Sequence, residues 1–543
     1  MEPFEKAIEM TPILGELGWE ERRSFNGLLS VTADGGSIIG ESSEVKNLWL
    51  CEAIWVKDGP GAAKVLVDWM THGRPPMDAH AVDPARHYPI QKTDEFVRNR
   101  CYEIAQKVYT PAVHPREPFG SSRGLRTSPF YEREVALGGY FMEVAGWERA
   151  HGYQANEATL LAKYRDRVPE RVAEWDSRHF WEVSNAEQLA MSDTVGMINL
   201  SHFAIYDLEG ADAETLLEYL AVAKVGGDTP VGKGIYTHFL DHEGGIHSDL
   251  TIVRLGAESY RVICGGDTGH RDLMWIRRFI DKMNLSNVTL HDRTEELATL
   301  GIWGPEARNT LAKLMDDPDS ISHENFPFAS AKEIDVNGIK IWAFRISYVG
   351  EQGWELYFDF ADGLALWDAL AALDVVPVGI ETYSNTRRVE KSLRVQNTDL
   401  EIDYNLYEAG LARPKVKAAD FHGKAAYEAQ RALPHQAAYL CTLVLEDTTD
   451  ADGVVRYPVG QWPLLDPESK EVLIDSHGRR SVATSVAFGP TLGLNIALGY
   501  LPHEVAKEGD CVLMEYFGHF FSARIKAVGY RALLDPDNER VKT

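Results

Sequence analysis

The spacing of apolar and polar residues shifts several times along the 543-residue chain, and each shift predicts different elements. Near the N-terminus, Leu28-Leu29-Ser30-Val31-Thr32 runs into Ala33-Asp34-Gly35-Gly36, the pattern of a strand entering a turn. Asp58-Gly59-Pro60 opens a helix with Val65, Val67, Trp69 and Met70 on its apolar side, and Gly73 stops it. Phe96, Val97, Cys101, Ile104 and Val108 recur at near-helical spacing and predict a second helix over Asp94–Val108. The Pro-, Gly- and Arg-bearing stretch from Pro111 to Pro129 reads as a domain junction.

Beyond it, helices are predicted at Glu182–Ala190, Asp212–Lys224 and Leu364–Leu373, and strands at Leu250–Leu255, Tyr260–Cys264, Ile339–Tyr348 and Trp354–Phe358. These alternate without the regular rhythm of a doubly wound parallel sheet, so the expected class is α+β. From about residue 436 the pattern becomes β-rich: Tyr439–Leu445, Val472–Asp475, Val482–Phe488 and Cys511–Tyr516 are short and separated by turn residues. A small antiparallel barrel or sandwich is the expected last domain.

Composition narrows the function. Fifty-five basic against 82 acidic residues give a net charge of −27, a field that repels nucleic-acid phosphates and anionic membrane surfaces. No stretch reaches the roughly 20 apolar residues that cross a bilayer. The opening Met1-Glu2-Pro3-Phe4-Glu5 has neither a basic nor an apolar leader region, so a cytoplasmic location is expected. Five scattered cysteines without a C-x-x-C predict neither a disulfide framework nor a thiolate metal site.

The familiar motifs are incomplete. Gly59-Pro60-Gly61-Ala62-Ala63-Lys64 lacks the third glycine of a dinucleotide fingerprint, and Gly232-Lys233-Gly234 lacks Walker spacing. His238, His242 and His247 are dense but have no H-E-x-x-H pattern, so no metal is expected. Two hairpin-like segments carry more chemistry. In Gly244-Gly245-Ile246-His247-Ser248-Asp249-Leu250-Thr251-Ile252 an acid stands at the mouth of a strand. In Tyr348-Val349-Gly350-Glu351-Gln352-Gly353-Trp354-Glu355-Leu356-Tyr357, alternation puts Glu355 and Tyr357 on one face. Carboxylates that accept from ring N–H groups, beside aromatics that cover a ring face, suit a flat, donor-rich heterocycle.

These residues resemble a known family. Gly234-Ile235-Tyr236-Thr237, Gly244-Gly245-Ile246, Asp249-Leu250-Thr251 and Tyr348 to Glu355 are similar to the aminomethyltransferase (glycine-cleavage T-protein) domain, in the version carried by dimethylglycine and sarcosine dehydrogenases. Leu125-Arg126-Thr127-Ser128-Pro129-Phe130-Tyr131, Gly146-Trp147-Glu148-Arg149, Arg388-Val389-Glu390-Lys391, Thr398-Asp399 and Tyr407-Glu408-Ala409-Gly410-Leu411 extend the resemblance. Phe25-Asn26-Gly27 through Gly40-Glu41-Ser42 resembles the tail of those enzymes' flavin domain. The resemblance implies a three-lobed, folate-binding fold with tetrahydrofolate as cofactor. Its expected parts are an N-terminal lobe (1–110), a linker segment (111–175), the folate-binding domain (176–430) and a C-terminal β-barrel (431–543). It assigns catalysis to Asp249, and cofactor contacts to Asp249, Leu250, Thr251, Tyr348, Glu355, Leu356 and Tyr357.

Two departures from the family shape the expected reaction. The glycine fingerprint and flavin-attachment histidine of the relatives have no counterpart here, and the motif Asp-x-Ser-x-Phe-Gly-Lys reads Asn199-Leu200-Ser201-His202-Phe203-Ala204-Ile205. The first predicts a flavin-free demethylase that moves a methyl group directly to N5 of tetrahydrofolate; the second favours a methoxylated aromatic acid as small-molecule donor, ahead of N-methyl or S-methyl compounds. Tyr206, His238 and His247 are the expected proton donors to the leaving group. The alternative is a folate-binding subunit of a split oxidase, in which a flavoprotein partner oxidises an N-methyl amine and this chain forms 5,10-methylenetetrahydrofolate. A second alternative is a non-catalytic folate-binding module.

Overall fold

The computed structural model describes residues 2–18, 27–107, 117–173, 175–176, 180–412 and 416–542. Phe25, Asn26, Val108 and the beginning of the expected junction, Pro111 to Arg116, lie outside the described residues. The N-terminal region holds a hairpin of β1 (Ile38–Glu41) and β2 (Trp49–Glu52) and the helices Gly59–His72 and Asp94–Lys107. Leu28–Thr32 is not a strand: among the described residues no strand pairs with it, and the first pairing begins at Ile38. A second hairpin, β3 (Gly139–Val144) and β4 (Trp147–Tyr153), leads into the central region.

Two mainly antiparallel sheets form that region. One runs in the order β10-β6-β9-β8-β7 and the other in the order β12-β13-β14-β11-β5-β15. In chain order the strands are β5 (Gly196–Asn199), β6 (Ala204–Glu209), β7 (Gly234–Leu240), β8 (Ile246–Arg254), β9 (Ser259–Cys264), β10 (Thr289–Asp292), β11 (Leu297–Trp303), β12 (Ala331–Val336), β13 (Ile339–Phe344), β14 (Gly353–Asp359) and β15 (Val376–Pro377). Period-two alternation decides what each strand shows to each side. Leu250 and Ile252 of β8 pack under the helices Ala213–Leu220 and Gly269–Lys282, whereas Val253 turns to the opposite face. On β14, Trp354, Leu356 and Phe358 pack outward beneath the helix Gly363–Ala371. The inner faces of the two sheets meet through Ile205, Val253 and Ile263 on one side and Ile198, Trp303, Phe344 and Tyr357 on the other.

The expected helix from Asp212 ends at Leu220 rather than Lys224, because the chain beyond it is drawn along β7. Ala221 bridges Phe239, and the Val222 N–H donates to the His238 carbonyl at 3.1 Å. The C-terminal strands close into a barrel in the order β16-β19-β18-β17-β20-β21. They are β16 (Ala438–Leu445), β17 (Trp462–Leu465), β18 (Val482–Gly489), β19 (Leu494–Pro502), β20 (Cys511–Tyr516) and β21 (His519–Val528). Val472–Asp475, expected as a strand, makes only isolated bridges at Val472 and Ile474. All five cysteines are free. Among the described residues, no helix is long and apolar enough to cross a membrane.

Buried ions join the barrel to the central region. Arg388 pairs with Asp399 at 2.9 Å, and its second terminal nitrogen donates to the Ser485 hydroxyl of β18 at 2.9 Å. Asp399 also accepts from Thr484 and Ser485 at 2.5 and 2.7 Å, and both ions are buried. Removing one partner of such a pair strands the other charge, at a cost of about 3–5 kcal/mol. Arg388→Met is therefore expected to lower the urea midpoint by that equivalent, with part of the loss recovered in the Arg388→Met, Asp399→Asn double variant. An unchanged midpoint in the single variant would show that the joint contributes no stability.

Candidate functional site

The site begins at the β7–β8 hairpin. Asp241 shapes its turn by accepting from the Glu243 and Gly245 N–H groups, each at 2.9 Å. Gly245 is required because a Cβ there would lie 2.1 Å from the Ile402 carbonyl oxygen. The register then sets His238 opposite Asp249 and Tyr236 opposite Thr251. These four side chains share the inner face of the sheet. The Tyr236 hydroxyl donates to Asp249 Oδ2 at 3.1 Å, and His238 Nε2 stands 3.3 Å from the same hydroxyl.

The other sheet supplies a second carboxylate. β14 starts at Gly353, whose φ of +153° and close approach to the Ile302 carbonyl, 1.9 Å from a Cβ position, admit only glycine. Glu355 follows opposite Phe344, and Tyr357 opposite Trp342. Glu355 accepts from the Tyr357 hydroxyl at 2.6 Å and from the Tyr383 hydroxyl at 3.4 Å. The Tyr383 ring lies 5.0 Å from that of Tyr348, whose hydroxyl donates to the Arg394 carbonyl at 2.5 Å. The Asp249 charge acts on both Tyr348 and Tyr383, so the two sheets contribute to one polar cluster.

This cluster lines a cavity. Tyr236 keeps 41% of its surface accessible, yet burial drives its phenol pKa well up. A side chain enclosed by protein and still reached by solvent belongs to a concavity. Neither carboxylate has a cationic partner among the described residues. Burial raises Asp249 to about 7, with smaller contributions from Asp272 and Asp267, against the lowering effect of the Tyr236 hydrogen bond. Burial likewise raises Glu355 to about 7, opposed by the two tyrosine hydroxyls. His238 is held down to about 3 by burial, so its imidazole is neutral throughout the physiological range.

Asp249, Thr251, His238, Tyr348, Glu355 and Tyr357 are thus brought together; four other expected site residues are not. Tyr206 lies on the helix side of β6, in the core beneath Gly269–Lys282, with its hydroxyl buried. A bulge at Phe239/Leu240 turns His247 to that same side, where it stacks on Trp275 at 3.8 Å. Leu250 and Leu356 fall on the outward faces of their strands by simple alternation. Tyr236, Tyr383 and Arg394 complete the site without having been singled out. Tyr236 was readable once the hairpin register was known. Tyr383 sits in a π-helical turn, Thr382–Thr386, that leaves no periodic signal.

The chain was compared with known proteins. The family model described as the GCVT N-terminal domain matches residues 130–417, more than half of the chain and the region that holds both carboxylates. The chain belongs to the aminomethyltransferase (glycine-cleavage T-protein) family. The T-protein C-terminal barrel domain matches residues 463–528, within the observed barrel, and an FAD dependent oxidoreductase central domain matches residues 72–128. Human mitochondrial dimethylglycine dehydrogenase is 28% identical over 537 residues, covering 97% of this chain and 57% of that protein. Mouse mitochondrial sarcosine dehydrogenase is 28% identical over 585 residues, covering 99% and 60%. The chain therefore spans less than two thirds of the length of these relatives. The glycine cleavage system aminomethyltransferase T of Bartonella henselae shares the fold, with a TM-score of 0.60 at 21% identity over 76% of this chain and 99% of that one.

Tetrahydrofolate is the cofactor of the T-protein family, and the donor set of this cavity fits it. Two carboxylates, Glu355 buried and Asp249 partly so, whose side-chain partners among the described residues are phenols, have acceptor capacity left for the amino and ring N–H groups of a pterin. The tyrosine rings offer flat apolar surface beside them. The residues do not fit a flavin's phosphates in the same way. Gly59 and Gly61, which only begin like a dinucleotide fingerprint, lie in the first turn of a helix, and a Cβ on either meets nothing within 4 Å.

Proposed function

We propose that this chain is the folate-dependent part of an N-methyl amine oxidising system of the dimethylglycine and sarcosine type, forming 5,10-methylenetetrahydrofolate. The observation that carries the reading is the pair of carboxylates, Asp249 and Glu355, held by phenols and without a cationic partner among the described residues, on facing sheets of one cavity. The dehydrogenase relatives and the FAD oxidoreductase match at 72–128 support the amine as the carbon source. The two-electron oxidation of the methyl carbon to the formaldehyde level takes place at a flavoprotein site, carried on a partner chain or on sequence outside these 543 residues.

Tetrahydrofolate, when bound, supplies the two nitrogens, N5 and N10, that share the formaldehyde-level carbon. Glu355 anchors the heterocycle by accepting from N–H donors, and the Tyr357 and Tyr383 hydroxyls fix its carboxylate. Asp249 handles protons. With Oδ2 held by Tyr236, its carboxyl takes up or returns one proton, and a pKa of about 7 makes both directions accessible at neutral pH. Neutral His238 supports the Tyr236 hydroxyl without placing a competing cation beside Asp249.

Direct methyl transfer from a methoxylated aromatic acid has less support: the dehydrogenase relatives and the FAD oxidoreductase match favour an oxidised amine, and the choice of aromatic donor rested on the altered residues Asn199 and Ile205. Asn199 is turned to Ser128 and Glu134, at 2.9 and 3.0 Å, and Ile205 packs in the apolar contact between the sheets. The test is anaerobic incubation with tetrahydrofolate and dimethylglycine, sarcosine and methoxybenzoates, with and without the flavin domain of a sarcosine-type dehydrogenase. Mass spectrometry of the folates is expected to show 5,10-methylenetetrahydrofolate above the uncatalysed rate only with the flavoprotein and an N-methyl amine. Formation of 5-methyltetrahydrofolate without flavoprotein would overturn this reading in favour of direct transfer. Folate binding with no product under any condition would overturn it in favour of a binding module.

A further inference from the structure

Asp78, His80 and Glu401 each bring one potential ligand atom, a carboxylate oxygen or an imidazole nitrogen, to within 4.8 Å of the others. Asp78 and His80 lie between the helix Gly59–His72 and the short turn Pro84–Arg86, and Glu401 lies on the loop that follows Asp399. Hydrogen bonds lock the two segments together. The Asp78 N–H donates to Asp403 Oδ1 at 3.1 Å, and the Ile402 N–H donates to Asp78 Oδ1 at 3.4 Å. On the other oxygen, Asp78 Oδ2 accepts from the His80 N–H at 3.0 Å and touches His80 Nδ1. With its members at positions 78, 80 and 401, the group leaves no motif spacing in the sequence.

The cluster is short of positive charge. The Asp78 side chain is only 9% exposed, and its one side-chain partner among the described residues is the His80 imidazole. The partly buried Glu401 carboxylate accepts no hydrogen bond and makes no ion pair among the described residues. Asp403 adds a third acid beside them. The arginines around these acids are engaged elsewhere: Arg74 with Asp241 and Glu243, Arg271 with Asn397, and Arg479 with Glu408 and Asp475. One imidazole cannot balance three carboxylates, and a buried carboxylate without compensation is costly. A divalent cation supplies the missing charge, and donors this close together are within reach of one ion bonded at about 2.0–2.2 Å. Two carboxylates with an imidazole and no thiolate suit zinc with water in the open position. Calcium, which takes about six to eight oxygens, suits them less well.

We propose that Asp78, His80 and Glu401 bind one zinc ion, which ties the N-terminal region to the hairpin that carries Asp249. The tie follows from what the Glu401 loop touches next. The Tyr404 carbonyl accepts from the Ile246 N–H at 3.1 Å, and Asn405 bridges Gly245. The loop held by the ion is therefore the loop that braces the β7–β8 turn. The role of the ion is structural, and the joint it fixes is separate from the folate cluster.

The test titrates the full chain, stripped of metal by a chelator, with zinc chloride in a calorimeter. One ion per chain is expected to bind with a Kd of about 1 μM or tighter, and Glu401→Gln and His80→Gln each weaken it about 100-fold or more. Glu401→Gln removes a carboxylate that has no partner, so its metal-free urea midpoint matches or exceeds that of wild type, which reports that it folds. Zinc raises the wild-type midpoint, leaves that of Glu401→Gln unchanged, and slows hydrogen exchange of the Ile246 N–H in wild type. Asp450→Asn alters a second group, Asp450, Asp452 and His519 on the barrel, and is expected to bind zinc as wild type does. Absence of stoichiometric binding overturns the proposal, as does binding that is lost in Asp450→Asn and kept in Glu401→Gln. Equal affinity for calcium chloride overturns the assignment to zinc, and unchanged exchange at Ile246 overturns the tie to the hairpin.

Discussion

Replacing Asp249 by alanine is expected to lower folate-dependent turnover about 10²- to 10⁴-fold, the range for loss of a positioned acid–base group, while 5-formyltetrahydrofolate still binds within a few-fold. The separation of effects follows from geometry. Asp249 hydrogen-bonds to the Tyr236 side chain and makes no ion pair among the described residues, so the β7–β8 register survives its loss. Its removal also relieves an unfavourable burial, since desolvation, Asp272 and Asp267 all oppose its charge. The pH dependence carries a sign. If the carboxylate accepts the proton in the slow step, wild-type turnover rises with pH through an inflection near 7, and Asp249→Ala loses that inflection. Single-turnover rates across pH 5.5 to about 8.5, beside calorimetric affinities, check both statements. Turnover within a factor of two of wild type would remove Asp249 from the mechanism.

The second large effect concerns affinity and stability in opposite directions. Glu355→Gln replaces an ionised acceptor by an amide and is expected to weaken 5-formyltetrahydrofolate binding about 10- to 100-fold, the equivalent of a hydrogen bond to a charged group. The same substitution should stabilise the folded protein at alkaline pH. The folded-state pKa of Glu355 is about 7, above its ordinary 4.5, with the side chain 5% exposed. A raised acid pKa means that folding favours the protonated form, so stability is fully present below about 4.5 and falls as pH rises through 7. By pH 8 the loss amounts to about 3 kcal/mol. Glutamine cannot ionise and avoids it. Urea midpoints should therefore favour Glu355→Gln at pH 8 and show no such gain at pH 4.5. A variant that loses neither affinity nor pH sensitivity would place Glu355 outside the site.

Much of this site was legible because two strands obey a period of two. Glu355 and Tyr357 sit on one face by alternation, and the glycines at 245 and 353 mark places where backbone approaches backbone. The failures have equally local causes. His247 belongs by count to the Asp249 face, but the bulge beside it reverses its side. Tyr206 has a hydroxyl suited to proton transfer, yet its strand turns it toward the helices. Tyr383 reaches the cavity from a π-helical turn, which sequence spacing does not reveal. The short helix ending at Leu220 shows tertiary pairing overriding a helical pattern. In the barrel, β17, β19 and β21 went unread, while β16, β18 and β20 were found.

The Arg388–Asp399–Ser485 contact bears on how small molecules reach the interior. An opening that swung the barrel away from the central sheets would leave a guanidinium and a carboxylate without each other, and would also separate Thr484 from Asp399. That rupture costs about 3–5 kcal/mol, which holds the swung-open state to roughly one molecule in a few hundred to several thousand. The joint acts as a latch, closed in nearly every molecule at any instant, so an arriving small molecule meets the barrel and the central sheets as one body.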